Sequence, residues 1–318
     1  LPPTRPTPPD PAPLHPRAFR VTVIWTLGLL FLGSVVHATE SSLACPDWPT
    51  CFGTMVPEMT GGVFWEHLHR LVAGGLVLMF ALATWLARRE APDRPWIFGA
   101  CLAGLGLLLV QSVFGGLTVI YRLPDLVSTT HLTLAFAFLT LATVLAAATS
   151  GGGGPMRGLG ESDGVRLRAI AVFAWLLVFL QSVVGGLVRH TDAGMACPDV
   201  PLCLGQVVPP LVNLPIAAHF THRVMALVAT GAVFWLAVAA LRAGVPARLR
   251  RWTLAAVALV VVQVALGVAS VLTVLAVAPV SLHTLVAAGL LTALAWTATL
   301  ATRTEAAAEA APPESVTA

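Results

Sequence analysis

Four histidines stand at matched positions in an otherwise apolar chain. His69 and His131 are separated by 62 residues, His222 and His283 by 61. Neutral imidazole is the common axial ligand for haem iron. Two such rings on facing helices at one depth would clamp a macrocycle between them. A polar side chain in lipid is expensive and generally faces the bundle interior, so two matched pairs point to ligation more than to isolated interhelical hydrogen bonds. The surroundings suit a large planar group. Gln111 with Gly115, and Gln263 with Gly267, stand four apart on one helix face, where glycine admits a flat ligand or a second helix. Gln181 and Gly185 repeat the spacing, so part of it is small-residue packing. Arg70 and Arg223 directly follow histidines; they could pair with haem propionates or snorkel to the interface.

These residues belong to a repeat. ACPDWPTC at 44–51 and ACPDVPLC at 196–203 lie 152 residues apart. Thr39–Glu40 matches Thr191–Asp192, His69–Arg70 matches His222–Arg223, and Gln111, Gly115 and His131 match Gln263, Gly267 and His283. A collinear series of this length indicates duplication. The halves differ at Glu66, one turn before His69 on the same face, where the second half has His219. A carboxylate at that depth is costly unless it moves protons, binds a substrate or reaches water. His67 has no counterpart and receives no role.

The elements that must position them are membrane helices. Hydrophobic residues make up 57% of the chain and charged residues 10%, too little charge to cover a water-soluble surface. Eight apolar stretches are long enough to span a bilayer: 21–40, 66–87, 96–119, 128–148, 169–189, 214–241, 252–275 and 280–301. The fold class is therefore all-α and integral to the membrane, with two tandem four-helix bundles, 21–148 and 169–301, related by a pseudo-two-fold axis along the membrane normal. The first stretch has the length of a signal peptide, but its counterpart at 169–189 argues for retention. Residues 1–20 and 302–318 read as disordered tails and 149–168 as a linker. The chain has no lysine; with both termini in the cytoplasm the arginines fall inside, leaving Arg122 and Arg189 in outer loops. The positive charge thus reports topology and not nucleic-acid binding.

Cys45/Cys51 and Cys197/Cys203 are C-x5-C pairs in loops on the oxidising side. Each is expected to form a disulfide, worth about 2–3 kcal/mol for so short a loop. A redox role for the first pair stays open, as does zinc, for which His190 is the nearby histidine. Cys101 reads as packing. A di-haem b electron carrier linked to quinol is the alternative to an enzyme; it would have no use for Glu66. A thiol oxidase would leave the histidines unexplained.

Glu66-His-Leu-His69-Arg70, the segment from Gly185 to Asp199 and the four spaced histidines resemble the haem A synthase family over residues 20–300. The resemblance implies an oxidoreductase of the cell membrane that converts the C8 methyl of haem O to a formyl group by successive hydroxylations, giving haem A for terminal oxidases. It implies a substrate haem held by His69 and His131, with Arg70 and Gln111 nearby, and Glu66 beside the reacting methyl. It implies a permanent haem b on His222 and His283, with Arg223 and Gln263 nearby. An electron donor and haem O synthase are the partners it suggests.

Overall fold

The computed structural model describes residues 12–150 and 161–309. Among them are eight helices long and apolar enough to cross a membrane: α1 (His15–Ala38), α2 (Gly61–Glu90), α3 (Pro95–Ile120), α4 (Asp125–Thr149), α5 (Glu161–His190), α6 (Leu214–Arg242), α7 (Ala247–Leu272) and α8 (Val277–Glu309). Threonines inside the helices donate to the carbonyl four residues earlier, as Thr22, Thr26, Thr84 and Thr143 do. Their hydroxyls are thereby satisfied where no water is available.

Helices α1, α5 and α8 outrun the apolar stretches that predict them furthest at one end. α1 starts at His15, inside the segment expected to be irregular, because proline is tolerated in a first helical turn. The Glu90 carboxylate accepts from the Leu14 and His15 N–H groups at 2.7 and 2.8 Å and ties that helix end to α2. α5 starts at Glu161, inside the expected linker, and α8 continues to Glu309. The rest of the expected tails and linker, 1–11, 151–160 and 310–318, lies outside the described residues.

Within each half the helices close a ring. α1 packs on α2, α2 on α3, α3 on α4 and α4 on α1; α5 to α8 repeat these contacts, and the rings meet through α1 and α4 against α5 and α8. The backbone repeats as well. Left-handed φ at Glu40, Phe52, Arg122 and Leu123 recurs at Asp192, Leu204, Val274 and Leu275, each 152 residues on. Such conformations are costly for residues with a Cβ, so their recurrence at every aligned position marks one loop design used twice.

The core of the first half is aromatic. Phe80 packs edge-on against Phe138 with ring centroids 5.1 Å apart and tilts against Phe19 at 6.4 Å. Gly104 of α3 makes room for it: a Cβ there would stand 2.5 Å from Phe80 Cε1. Gly104→Ala is expected to destabilise the protein by about 1–3 kcal/mol through overpacking, read as a lower melting temperature in detergent. An unchanged melting point would mean that the α2–α3 seam relaxes freely.

Candidate functional site

Each of the four histidines rests on a glycine of the preceding helix. His69 faces Gly33, His131 faces Gly115, His222 faces Gly185 and His283 faces Gly267; a Cβ on those glycines would lie 3.0, 3.0, 2.8 and 3.2 Å from the ring Cε1. All four rings are half-buried and sit in the second or third turn of their helices. At 1.5 Å per residue the two members of a pair therefore lie at nearly the same distance from the loop end. Sequence spacing singled out Gly115, Gly185 and Gly267, but which ring each receives, and the part played by Gly33, emerge only from the fold.

In the second half the His222 and His283 rings come together edge-on, with centroids 6.5 Å apart and planes inclined at 66°. Imidazole–metal bonds run about 2 Å, so rings trans across one metal have centroids roughly 6 Å apart. The pair fits a bis-histidine iron. His131 Nδ1 donates to the Gln111 carbonyl at 3.1 Å, leaving Nε2 free. Gln181 Nε2 lies 3.0 Å from His222 Nδ1, and Gln263 Nε2 lies 3.2 Å from His283 Nε2.

Above each pair is a disulfide-closed loop. Cys45–Cys51 and Cys197–Cys203 are both bonded, as the spacing predicts. The arginines bind these loops. Arg70 donates to the carbonyls of Asp47, Thr50 and Cys45 at 2.7, 2.6 and 3.3 Å. Arg223 donates to those of Asp199, Leu202 and Cys197 at 2.7, 2.6 and 2.5 Å. Their NH1 and NH2 groups thus serve the loops. Asp47 accepts from Thr50 Oγ1 and from the Phe52 and Gly53 N–H groups; these bonds, led by that of Thr50, hold its carboxyl below the usual carboxylate range.

Glu66 is buried and central to this arrangement. Its Oε2 accepts from the Cys45 N–H at 2.7 Å and its Oε1 from Arg70 NH2 at 2.6 Å. His219 takes the same place below Cys197: its Nδ1 donates to the Ala193 carbonyl at 2.9 Å and lies 3.4 Å from the Cys197 nitrogen. The aligned residues share a loop contact and differ in charge. Two further differences lie nearby. Trp48 packs on Gly116, where a Cβ would meet the indole at 2.8 Å; the aligned residues are Val200 and Val268. His67 is buried with Nε2 donating to the Met55 carbonyl at 3.1 Å. Cys45, Cys51 and His67 place ligand atoms within 4.8 Å of one another, but the disulfide leaves no thiolate for zinc.

Arg189 departs from its expected loop position. It closes the last turn of α5 and crosses the seam between the halves, donating to the Ser34 carbonyl and hydroxyl, both at 2.8 Å, and approaching Thr284 Oγ1 at 3.4 Å. His190 lies beside it, with Nδ1 3.1 Å from Thr129 Oγ1 and its ring 5.4 Å from that of His37. Sequence reading gave Ser34, His37 and Thr284 no part; their only signal is a polar side chain within an apolar helix.

The model of the cytochrome oxidase assembly protein family, COX15-CtaA, matches residues 58–295, a span that contains both histidine pairs. The chain belongs to this family. Among its relatives is a protein of Symbiobacterium thermophilum named Heme A synthase, 32% identical over 77% of this chain and 81% of the relative. A second Heme A synthase, from Halalkalibacterium halodurans, is 30% identical over 90% of this chain and 96% of the relative. A third, from Shewanella oneidensis, is 26% identical over 79% and 86%. Family membership and the two cradled histidine pairs agree with the sequence reading of an eight-helix membrane protein.

Proposed function

We propose that the chain is an oxidoreductase with haem A synthase activity. It would convert the C8 methyl of haem O to a formyl group by two hydroxylations and loss of water. The observation that carries this reading is the paired set of four glycine-cradled histidines in a member of this family. His69 and His131 bind the substrate haem, with Gln111 beside them. His222 and His283 hold a permanent haem b, with Gln263 beside them. When bound, haem b supplies one-electron transfer. The C8 methyl is placed near Glu66, because only the first half has a carboxylate below its loop. Arg70 keeps that carboxylate paired and, with Arg223 in the second half, clamps a disulfide loop over each site to exclude water. By arginine distribution the termini face the cytoplasm and the disulfide loops the outside of the cell membrane.

Haem O enters from the lipid, and an external donor supplies electrons. The test is direct. Purified protein in detergent, given haem O, oxygen and a reductant, should yield haem A on pigment extraction and chromatography. Protein that binds haem in both halves and leaves haem O unchanged under these conditions would sink the reading.

A further inference from the structure

His67 is the histidine of α2 that the ligand pairs leave unused. Its ring is buried beside Cys45 and Cys51, themselves fully buried. A ring nitrogen and the two sulfurs lie within 4.8 Å of one another. Nε2 donates to the Met55 carbonyl at 3.1 Å, which fixes the ring proton there and leaves Nδ1 with an open lone pair. That Nδ1 is buried with no hydrogen-bond partner among the described residues. A buried acceptor without a partner costs stability. A ring that donates one N–H to a backbone carbonyl and keeps its other nitrogen free has, however, the arrangement of a metal-ligating histidine. The second loop lacks this ring. Its aligned residue is Phe220, although Cys197–Cys203 is bonded in the same way. The extra histidine therefore adds something that closing the loop by a disulfide does not need.

While the disulfide is closed, its sulfurs cannot bind a cation as thiolates. Opening it takes two electrons and two protons from an external dithiol, which closes to its own disulfide. We propose that the reduced first loop is a zinc site, with Cys45, Cys51 and His67 as its ligands. The cation displaces both thiol protons to solvent. Two thiolates and a neutral imidazole around a zinc dication carry no net charge, which suits a buried site. Three protein ligands leave the fourth position to water, and ligand atoms around tetrahedral zinc stand roughly 3.5–4 Å apart, close to the separations already present. Zinc then holds the loop in place of the disulfide. Cys45 gives its N–H to Glu66 and its carbonyl to Arg70, so the first loop stays clamped in either redox state. Reduction of the second loop leaves it without that substitute.

In the experiment, purified full-length protein is reduced with a phosphine, desalted under argon and titrated with zinc against a chromophoric chelator. Free thiols are then alkylated and mapped by mass spectrometry. Oxidised protein should take up no zinc. Reduced wild type should bind about one ion per chain, with Cys45 and Cys51 protected from alkylation while Cys197 and Cys203 of the same molecules react. His67→Phe gives the first loop the side chain that the second tolerates at the aligned position. It should weaken zinc binding by more than the roughly 10–100-fold cost of losing a ligand's supporting hydrogen bond. The protection pattern of the wild type decides the matter even if that variant folds poorly. A first disulfide that resists the phosphine in the folded protein overturns the inference. So do equal alkylation of Cys45 and Cys51 with and without zinc, equal protection of both cysteine pairs, and an unchanged affinity in His67→Phe. None of these outcomes touches the haem assignments, because the zinc site shares no ligand with the two histidine pairs.

Discussion

Replacing Glu66 by histidine is expected to lower haem A formation by about 100-fold or more, the range that general acid–base groups contribute, with both haems still bound. Histidine is chosen because the protein already uses it at the equivalent place. His219 stands below the Cys197 N–H as Glu66 stands below that of Cys45, so Glu66→His removes the carboxylate while keeping a loop contact that the fold tolerates. Glu66→Gln complements it, preserving shape and one acceptor oxygen. Extracted haem is resolved by chromatography, and the Cys45–Cys51 bond is checked by thiol labelling. Full haem A yield from Glu66→His would show that the carboxylate only staples the loop, and its assignment to the reacting methyl would fall. Loss of activity with thiols exposed would likewise trace the effect to the loop.

The other large effect concerns the division of labour between the halves. His222→Ala should remove the resident haem b and abolish turnover while haem O still binds at His69 and His131. His69→Ala should spare haem b and lose retention of haem O. Removing a ligand outright should exceed the roughly 10–100-fold cost of losing a ligand's hydrogen-bond partner. Absorption spectra and pigment content of the two variants, measured side by side, decide the matter. Equal loss of the same haem from both would refute the assignment.

Much of this was legible in the sequence because its signals are periodic or exactly repeated. Long apolar runs place the eight helices, and an offset of 152 residues, 153 at His69 and His222, pairs the cysteine loops and the histidines. Helix ends were less legible: α1, α5 and α8 extend beyond their apolar runs because hydrogen bonding continues where hydropathy falls. The arginines show another limit. Arg70 and Arg223 follow ligand-type histidines and so suggested haem propionates or the interface as partners, but the tight disulfide turns aim three carbonyls at each guanidinium. Arg189 looked like a loop residue because it follows an apolar run, whereas its partners come from α1 and α8. Gly33 belongs with His69 only after α1 has packed on α2. Contacts of that kind depend on which helices become neighbours, and one sequence does not state that.

The seam at Arg189 also decides what the halves can pair with. By the 152-residue offset, position 189 answers to His37 and position 186 to Ser34. Two copies of the second half meeting across this seam would bring guanidinium against guanidinium in a low-dielectric setting and find Gly186 where the serine hydroxyl now accepts. Two copies of the first half would bring His37 against His37 and supply no guanidinium to bridge them. Each half is thus complementary to the other and mismatched to itself. The duplication has become a lock and its key, joined in one chain so that one histidine pair always assembles beside the other.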